Sequence, residues 1–229
     1  MQLHQLHPDV RVVDDADLPR AFDFAALAPP DRPYLVINMV ASADGRATLE
    51  GVTEKLSSPA DKAVFFALRA SVDAVLAGTG TLHAEQYGRL VRRPERQAQR
   101  VELGLEPEPI ALVLSRSGEI PSFPLLDDPD ARPLILTGDD AEPRRALGHV
   151  RAEHGVRTIL CEGGPRLNAG LLAAGVVDEL FLTISPMLAG TPDPLTIVEG
   201  GAGDPVDLEL VSVLESGGEL FLRYRLRRG

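Results

Sequence analysis

The chemistry open to this chain concentrates at three short turns and the charged residues around them. Thr158 to Pro165, ThrIleLeuCysGluGlyGlyPro, is a β-branched run that ends in Glu162, Gly163 and Gly164 and opens a helix at Pro165. Two glycines let a backbone approach a ligand with no Cβ in the way, and the unpaired N–H groups of a first helical turn face any arriving anion, most often a phosphate. The same pair serves equally as a plain tight turn. GlyThrGlyThr, Gly78 to Thr81, repeats the arrangement, and AlaSerAlaAspGlyArg, Ala41 to Arg46, follows another apolar run. A basic stretch from Arg89 to Arg100 reads for the most part as a solvated loop or helix.

These turns need a frame. Tyr34 to Val40 is a nearly continuous apolar run, the kind buried on both faces of a parallel sheet. Ser58 and Pro59 announce a helix as N-cap and first-turn proline, with Val64, Ala67, Leu68 and Val72 facing inward. Asp73 to Ala77, Ile110 to Leu114 and Leu134 to Thr137 read as further buried strands, and Glu142 to Glu153 as a helix. After Pro165 the residues Leu167, Leu171, Leu172 and Val176 recur at helical spacing before a strand begins at Asp178. Two runs of alternating polarity flank Ser216 to Gly218, which predicts a terminal antiparallel hairpin. The segment up to Arg32 is rich in Pro, Asp and Ala with little periodicity. It is expected to be an arm that lies over a domain of residues 33–229 or helps a dimer.

Strands alternating with helices give the α/β class: an open, mostly parallel central sheet flanked by helices, with an antiparallel C-terminal hairpin. Such a sheet binds ligands at the carboxyl ends of its strands. Three polar or glycine-rich turns at that edge favour one shared cleft over three connecting loops.

Composition narrows the function. The 229 residues with 44% hydrophobic content suit one large core, and a net charge of −11 argues against nucleic acid or an anionic membrane as partner. No apolar run approaches the length of a membrane span, and the start lacks the order of a signal peptide, so a cytoplasmic protein is expected. The single cysteine, Cys161, excludes internal disulfides and a cysteine-rich zinc site, and no metal is expected. Neither Ser42 nor His83 sits in a nucleophile-elbow pattern, so no hydrolase triad emerges.

Several motifs then occur in a telling order: AlaSerAlaAspGlyArg, SerSerPro followed by LeuArgAla, GlyThrGlyThr, CysGluGlyGlyProArgLeuAsn, ValValAspGluLeu and SerProMetLeuAlaGly. From about Pro33 to Arg227 the chain resembles the reductase domain of riboflavin biosynthesis, which in many bacteria is the C-terminal half of a bifunctional deaminase-reductase and is dihydrofolate reductase-like in fold. The resemblance implies NADPH as cofactor, 5-amino-6-(5-phosphoribosylamino)uracil or a similar phosphorylated ribosylaminopyrimidine as substrate, a ribityl product and a homodimer. It places Val40 and Ala41 along the cofactor, Thr81 and Glu85 beside it, and Gly163, Gly164, Pro165, Arg166, Leu167 and Asn168 around its pyrophosphate. Thr53, Arg69 and Glu162 fall at the substrate, with Arg89 and Arg92 at its phosphate. A sugar phosphate wants fixed guanidinium groups, which Arg69 and Arg92 suit, although Arg92 reads nearly as well as a solvated residue.

Arg116 follows the run Ile110 to Leu114 where the resemblance puts part of the cofactor. It is the candidate reader of a 2′-phosphate, with a plain loop arginine as the alternative. The sugar must open to an imine before hydride reaches its anomeric carbon, which calls for proton transfer; Glu162 is one candidate and Asp44 the second.

The chain also departs from the family. AlaGluGlnTyr, 84–87, stands where AlaAspAspPro is common, Lys55 and Leu56 precede SerSerPro in place of an aromatic residue, and the stretch from Thr137 to Thr158 is short. Zinc-dependent deamination is excluded on ligand count. Two other readings stay open: a reductase of another heterocycle such as dihydrofolate, and a non-catalytic nucleotide-binding relative.

Overall fold

The computed structural model describes residues 1–128, 131, 133–190, 195–201 and 203–227. Its strands are β1 (Gln2–His7), β2 (Arg11–Asp14), β3 (Tyr34–Ser42), β4 (Ala74–Gly78), β5 (Ile110–Ser115), β6 (Leu134–Thr137), β7 (Thr158–Cys161), β8 (Glu179–Ser185), β9 (Leu208–Ser216) and β10 (Glu219–Leu226). They form one sheet in the order β2-β1-β9-β10-β8-β3-β7-β4-β5-β6. From β8 to β6 every neighbouring pair is parallel, and from β8 to β2 every pair is antiparallel. The helices are α1 (Leu18–Ala21), α2 (Pro59–Ala70), α3 (Thr79–Ala84), α4 (Pro94–Glu102), α5 (Pro143–His154) and α6 (Pro165–Ala173).

The apolar run of β3 is explained by its central place, because a strand covered on both faces has no reason to alternate. Tyr34 and Val36 enter the core that carries Val64 and Leu68 of α2, while Leu35 and Ile37 enter the opposite core with Leu147 and Val150 of α5 and Leu171 of α6. Ser58 caps α2 as its sequence suggests, its Oγ accepting from the N–H groups of Ala60 at 3.0 Å and Asp61 at 3.1 Å.

The first 32 residues are more regular than their composition implies. β1 pairs with β9, β2 pairs with β1, and the pair widens the same sheet. Only Leu3 and Gln5 of β1 are buried, Gln5 donating to the Asp9 carbonyl at 2.9 Å, so a strand made mostly of Gln and His carries a faint alternation signal. Leu18, Phe22 and Phe24 then plug the core beside Phe181. Two buried ion pairs fasten the region between the parallel and antiparallel halves. Arg32 grips Asp178 through two bonds of 2.7 Å, and Arg223, lying over Phe22, Phe24 and Phe181, donates to the sealed Glu179 at 2.7 and 3.1 Å.

Among the described residues no helix is long and apolar enough to cross a membrane, and no group of three or more His, Cys, Asp or Glu side chains is placed to hold a metal ion.

Candidate active site

Because β3, β7, β4 and β5 are parallel neighbours, their carboxyl ends share one edge, and a cleft of about 2050 Å³ runs along it. Two of the glycine turns meet at its floor. The Gly78 N–H donates to the Gly163 carbonyl at 2.7 Å, and the turns approach so closely that a Cβ on Gly164 would lie 3.0 Å from Thr81 Oγ1. Gly163 adopts φ +83°, which side-chain-bearing residues avoid, and the Gly163–Gly164 peptide is cis. Neither Gly78, before α3, nor Gly164, before α6, supplies a side-chain cap, so the first N–H groups of both helices remain uncapped by their own N-cap residues.

The substrate side of the cleft is built on a buried ion pair. Arg69, in the last turn of α2, gives Nε and Nη2 to the two oxygens of Glu162 at 2.6 and 2.7 Å, and Nη1 to the Leu90 carbonyl at 3.1 Å. The Tyr87 hydroxyl donates to Glu162 Oε2 at 2.5 Å, and the guanidinium lies over the Phe65 ring, 4.3 Å from its centroid. Burial alone would lower the Arg69 pKa, but the Glu162 charge and its hydrogen bonds outweigh it and raise it. Burial and the Glu162 charge push the Tyr87 phenol well up, so it stays a donor. Gln86, at φ +48°, turns the chain back after α3 and delivers Tyr87 into this contact.

Each residue singled out in the sequence now has a place. Val40, Thr53, Thr81 and Glu85 line the cleft, as do Gly164, Pro165, Arg166 and Leu167. Ala41, Gly163 and Asn168 lie behind the wall; the Asn168 amide donates to the Ile197 carbonyl at 2.9 Å. Arg69 and Glu162, expected to meet the substrate separately, hold each other. Arg89 is held by Asp128 at 2.7 Å, and exposed Arg92 is steadied by the Arg89 carbonyl at 3.3 Å; both line the cleft. Their loop is fixed where the Glu108 carboxylate accepts from the Leu90 and Val91 N–H groups. Arg116 is exposed at the cleft edge, after β5 and beside the glycine floor.

Asp44 is placed elsewhere. β3 stays paired with β7 only as far as Ile37 and overhangs it by the five residues Asn38 to Ser42, which at about 3.3 Å each carries the following turn roughly 16 Å beyond Cys161. There Asp44 accepts from Ser42 Oγ at 2.5 Å and from the N–H groups of Ala189 and Gly190 at 2.9 and 3.1 Å. The Ser42 bond leads these in holding its pKa down to about 2, so it is an ionised clamp on the turn after β8 and a poor proton donor.

A family model described as the RibD C-terminal domain matches residues 33–222 of this chain. The chain belongs to that family. A 2,5-diamino-6-ribosylamino-4(3H)-pyrimidinone 5′-phosphate reductase from Archaeoglobus fulgidus is 27% identical over 191 residues, covering 74% of this chain and 87% of that one. The riboflavin biosynthesis protein RibD of Mycobacterium tuberculosis is 31% identical over 163 residues, which are 70% of this chain but 44% of that longer protein. Among solved structures, a pyrimidine reductase-like protein from Corynebacterium diphtheriae superposes with a TM-score of 0.77 at 23% identity, covering 95% of this chain and all of that one. The RibD C-terminal fold, dihydrofolate reductase-like, therefore accounts for the parallel half of the sheet and the hairpin.

Within this RibD-type frame, Tyr87, Phe65 and Asp61 line the cleft without having been singled out for it. Tyr87 carried a signal, since it stands where the family commonly has proline. Phe65 and Asp61 carried none, because a helix-surface Phe and Asp look alike whether they face water or a cleft.

Proposed function

We propose that this chain is a reductase that uses NADPH to convert the ribosyl group of a phosphorylated ribosylaminopyrimidine into a ribityl chain. The observation that carries the reading is the glycine cradle on the cleft floor. A methyl group on Gly164 would press on Thr81 at 3.0 Å, and one on Gly78 would only reach van der Waals contact, 3.4 Å from the Gly164 nitrogen, so the floor depends on Gly164 above all. Uncapped helix N-termini at such a floor suit a pyrophosphate, and Arg116 beside them suits a further phosphate, the feature that separates NADPH from NADH.

When bound, the cofactor supplies the hydride. This chain's residues do the rest: the cradle orients the dinucleotide, Glu162, held by Arg69 and Tyr87, offers a fixed acceptor to a substrate N–H or O–H, and Arg89 and Arg92 line the rim where a sugar phosphate needs positive charge. The ion pair with Arg69 suits Glu162 to recognition better than to proton donation.

The names of the relatives support the same substrate class. The test is NADPH oxidation with three substrates offered separately: the 2,5-diamino-pyrimidinone ribosyl phosphate, its 5-amino-uracil counterpart and dihydrofolate. Turnover of either phosphorylated pyrimidine is the expected result, and turnover of dihydrofolate alone would replace this reading with a heterocycle-switched reductase.

A further inference from the structure

One cleft-wall carboxyl has no part in the recognition just described. Asp61, in the first turn of α2, lines the cleft while only 8% exposed. Its oxygens accept from the hydroxyls of Ser57 and, at 2.7 Å, Thr183 of β8. Lys62 follows it in the helix but bonds to Glu54 at 3.0 Å. Ser58, next to Ser57, donates to Glu219 at the start of β10, which is 2% exposed and whose Oε1 is buried with no hydrogen-bond partner among the described residues. Two carboxyls on adjacent serines, both withdrawn from water, resist ionising together. Burial raises the pKa of each, against the hydroxyl bonds, and the Asp61 charge adds to the rise at Glu219.

Other carboxylates along the cleft are committed or wet. Glu162 is taken by Arg69 and Tyr87, Glu199 pairs with Arg166, Glu142 caps α5, and Glu85 is exposed. We propose that Asp61 supplies the proton that accompanies reduction, with Glu219, held by the adjacent serine, as its buried neighbour. The inference rests on the reductase reading above. In the step, the C1′ carbon of the opened sugar imine gains a C–H bond from the hydride of a reduced nicotinamide, which is oxidised. The C=N π pair moves to nitrogen, and that nitrogen takes the Asp61 proton. Asp61 is left as a carboxylate and recovers a proton from water.

Asp61→Asn keeps an acceptor for Thr183 but has no titratable proton. It should lower kcat at least about a hundredfold, change KM and cofactor affinity less than about twofold, and abolish the fall of kcat at alkaline pH. Thr183→Val removes a hydrogen bond that favours the charged form, so the alkaline fall should move to higher pH; this variant carries the test if circular dichroism shows Asp61→Asn to be misfolded. A readout independent of turnover is the ¹³C NMR titration of the Asp61 carboxyl in the ligand-free protein. Its midpoint should lie above the ordinary carboxylate range and drop in Glu219→Gln. An Asp61→Asn enzyme with wild-type kcat and pH profile, or an ordinary Asp61 midpoint, overturns the proposal. A wild-type protein that reduces no ribosylaminopyrimidine phosphate overturns the reductase reading, and the carboxyl titration still judges the proton on Asp61 separately.

Discussion

Arg69→Met deletes the charge at the centre of the cleft while keeping an aliphatic chain for Phe65 to cover. The lost guanidinium makes two bonds to Glu162, at 2.6 and 2.7 Å, between side chains only 9% and 2% exposed, so water screens the pair little. Removing one partner of a buried pair costs about 3–5 kcal/mol, because the survivor is left charged and unpaired. The Tyr87 hydroxyl still donates to Glu162 and offsets part of this, which places the expected loss near the lower bound of about 3 kcal/mol. At about 2–4 °C per kcal/mol for a chain of this size, the melting temperature should fall by roughly 6–12 °C. The chain has no tryptophan, so urea unfolding is best followed by far-ultraviolet circular dichroism. Arg69→Met combined with Glu162→Met replaces the pair by apolar groups and should recover stability to within about 1 kcal/mol of wild type. A single variant that loses less than about 1 kcal/mol, or a double variant no better than the single, would refute the buried-pair argument. Kinetics add a second check. With its donors directed at Glu162 and Leu90, Arg69 should affect phosphorylated and dephosphorylated substrates alike, and a loss confined to the phosphorylated one would make it the phosphate ligand that its sequence position suggests.

Gly164→Ala, at a backbone angle that alanine accepts, should weaken NADPH binding about tenfold or more by fluorescence titration while leaving the fold intact, since the added methyl meets Thr81 Oγ1 at 3.0 Å; unchanged affinity would remove the cradle. Arg116→Ala should cost NADPH roughly 1.5–3 kcal/mol of binding and leave NADH nearly unchanged, so equal losses for both would end the 2′-phosphate role. Asp61 and Glu219 have folded pKa values raised above their ordinary 3.8 and 4.5, so the native protein holds more protons than the unfolded chain between those values and the raised ones, and the pair costs stability as pH climbs through that window. Urea unfolding across it should show a shallower pH slope in Glu219→Gln than in wild type, and identical slopes would contradict the burial argument.

The parallel half of the sheet was legible because its signals are local. An uninterrupted apolar run marks a strand covered on both faces, a serine before a proline marks a helix start, and two glycines after a strand mark a turn that takes a positive φ or a close approach. The hairpin was legible for the same reason, since alternation and turn residues lie within about twenty positions of each other. What stayed hidden is pairing. Arg69 and Glu162 lie 93 residues apart, and Asp61 and Thr183 lie 122 apart; they meet only because β7 and β8 flank β3 and α2 crosses that face. A sequence shows that an arginine and a glutamate stand at ligand-facing edges, but not that each satisfies the other before any ligand arrives.

Asp44 stands off the cleft wall for a related reason. Its turn follows the first buried strand just as the glycine turns follow theirs, and a reading that lists strand ends without their register treats the three as equivalent. The register makes them unequal, because five residues of β3 run on beside β8 after β7 has ended. The carboxylate is thereby delivered to the turn after β8, where two backbone N–H groups and a serine hold it ionised. The same overhang leaves Asn38, Met39 and Val40 lining the cleft, which is why the strand itself, and not the turn that ends it, forms that wall.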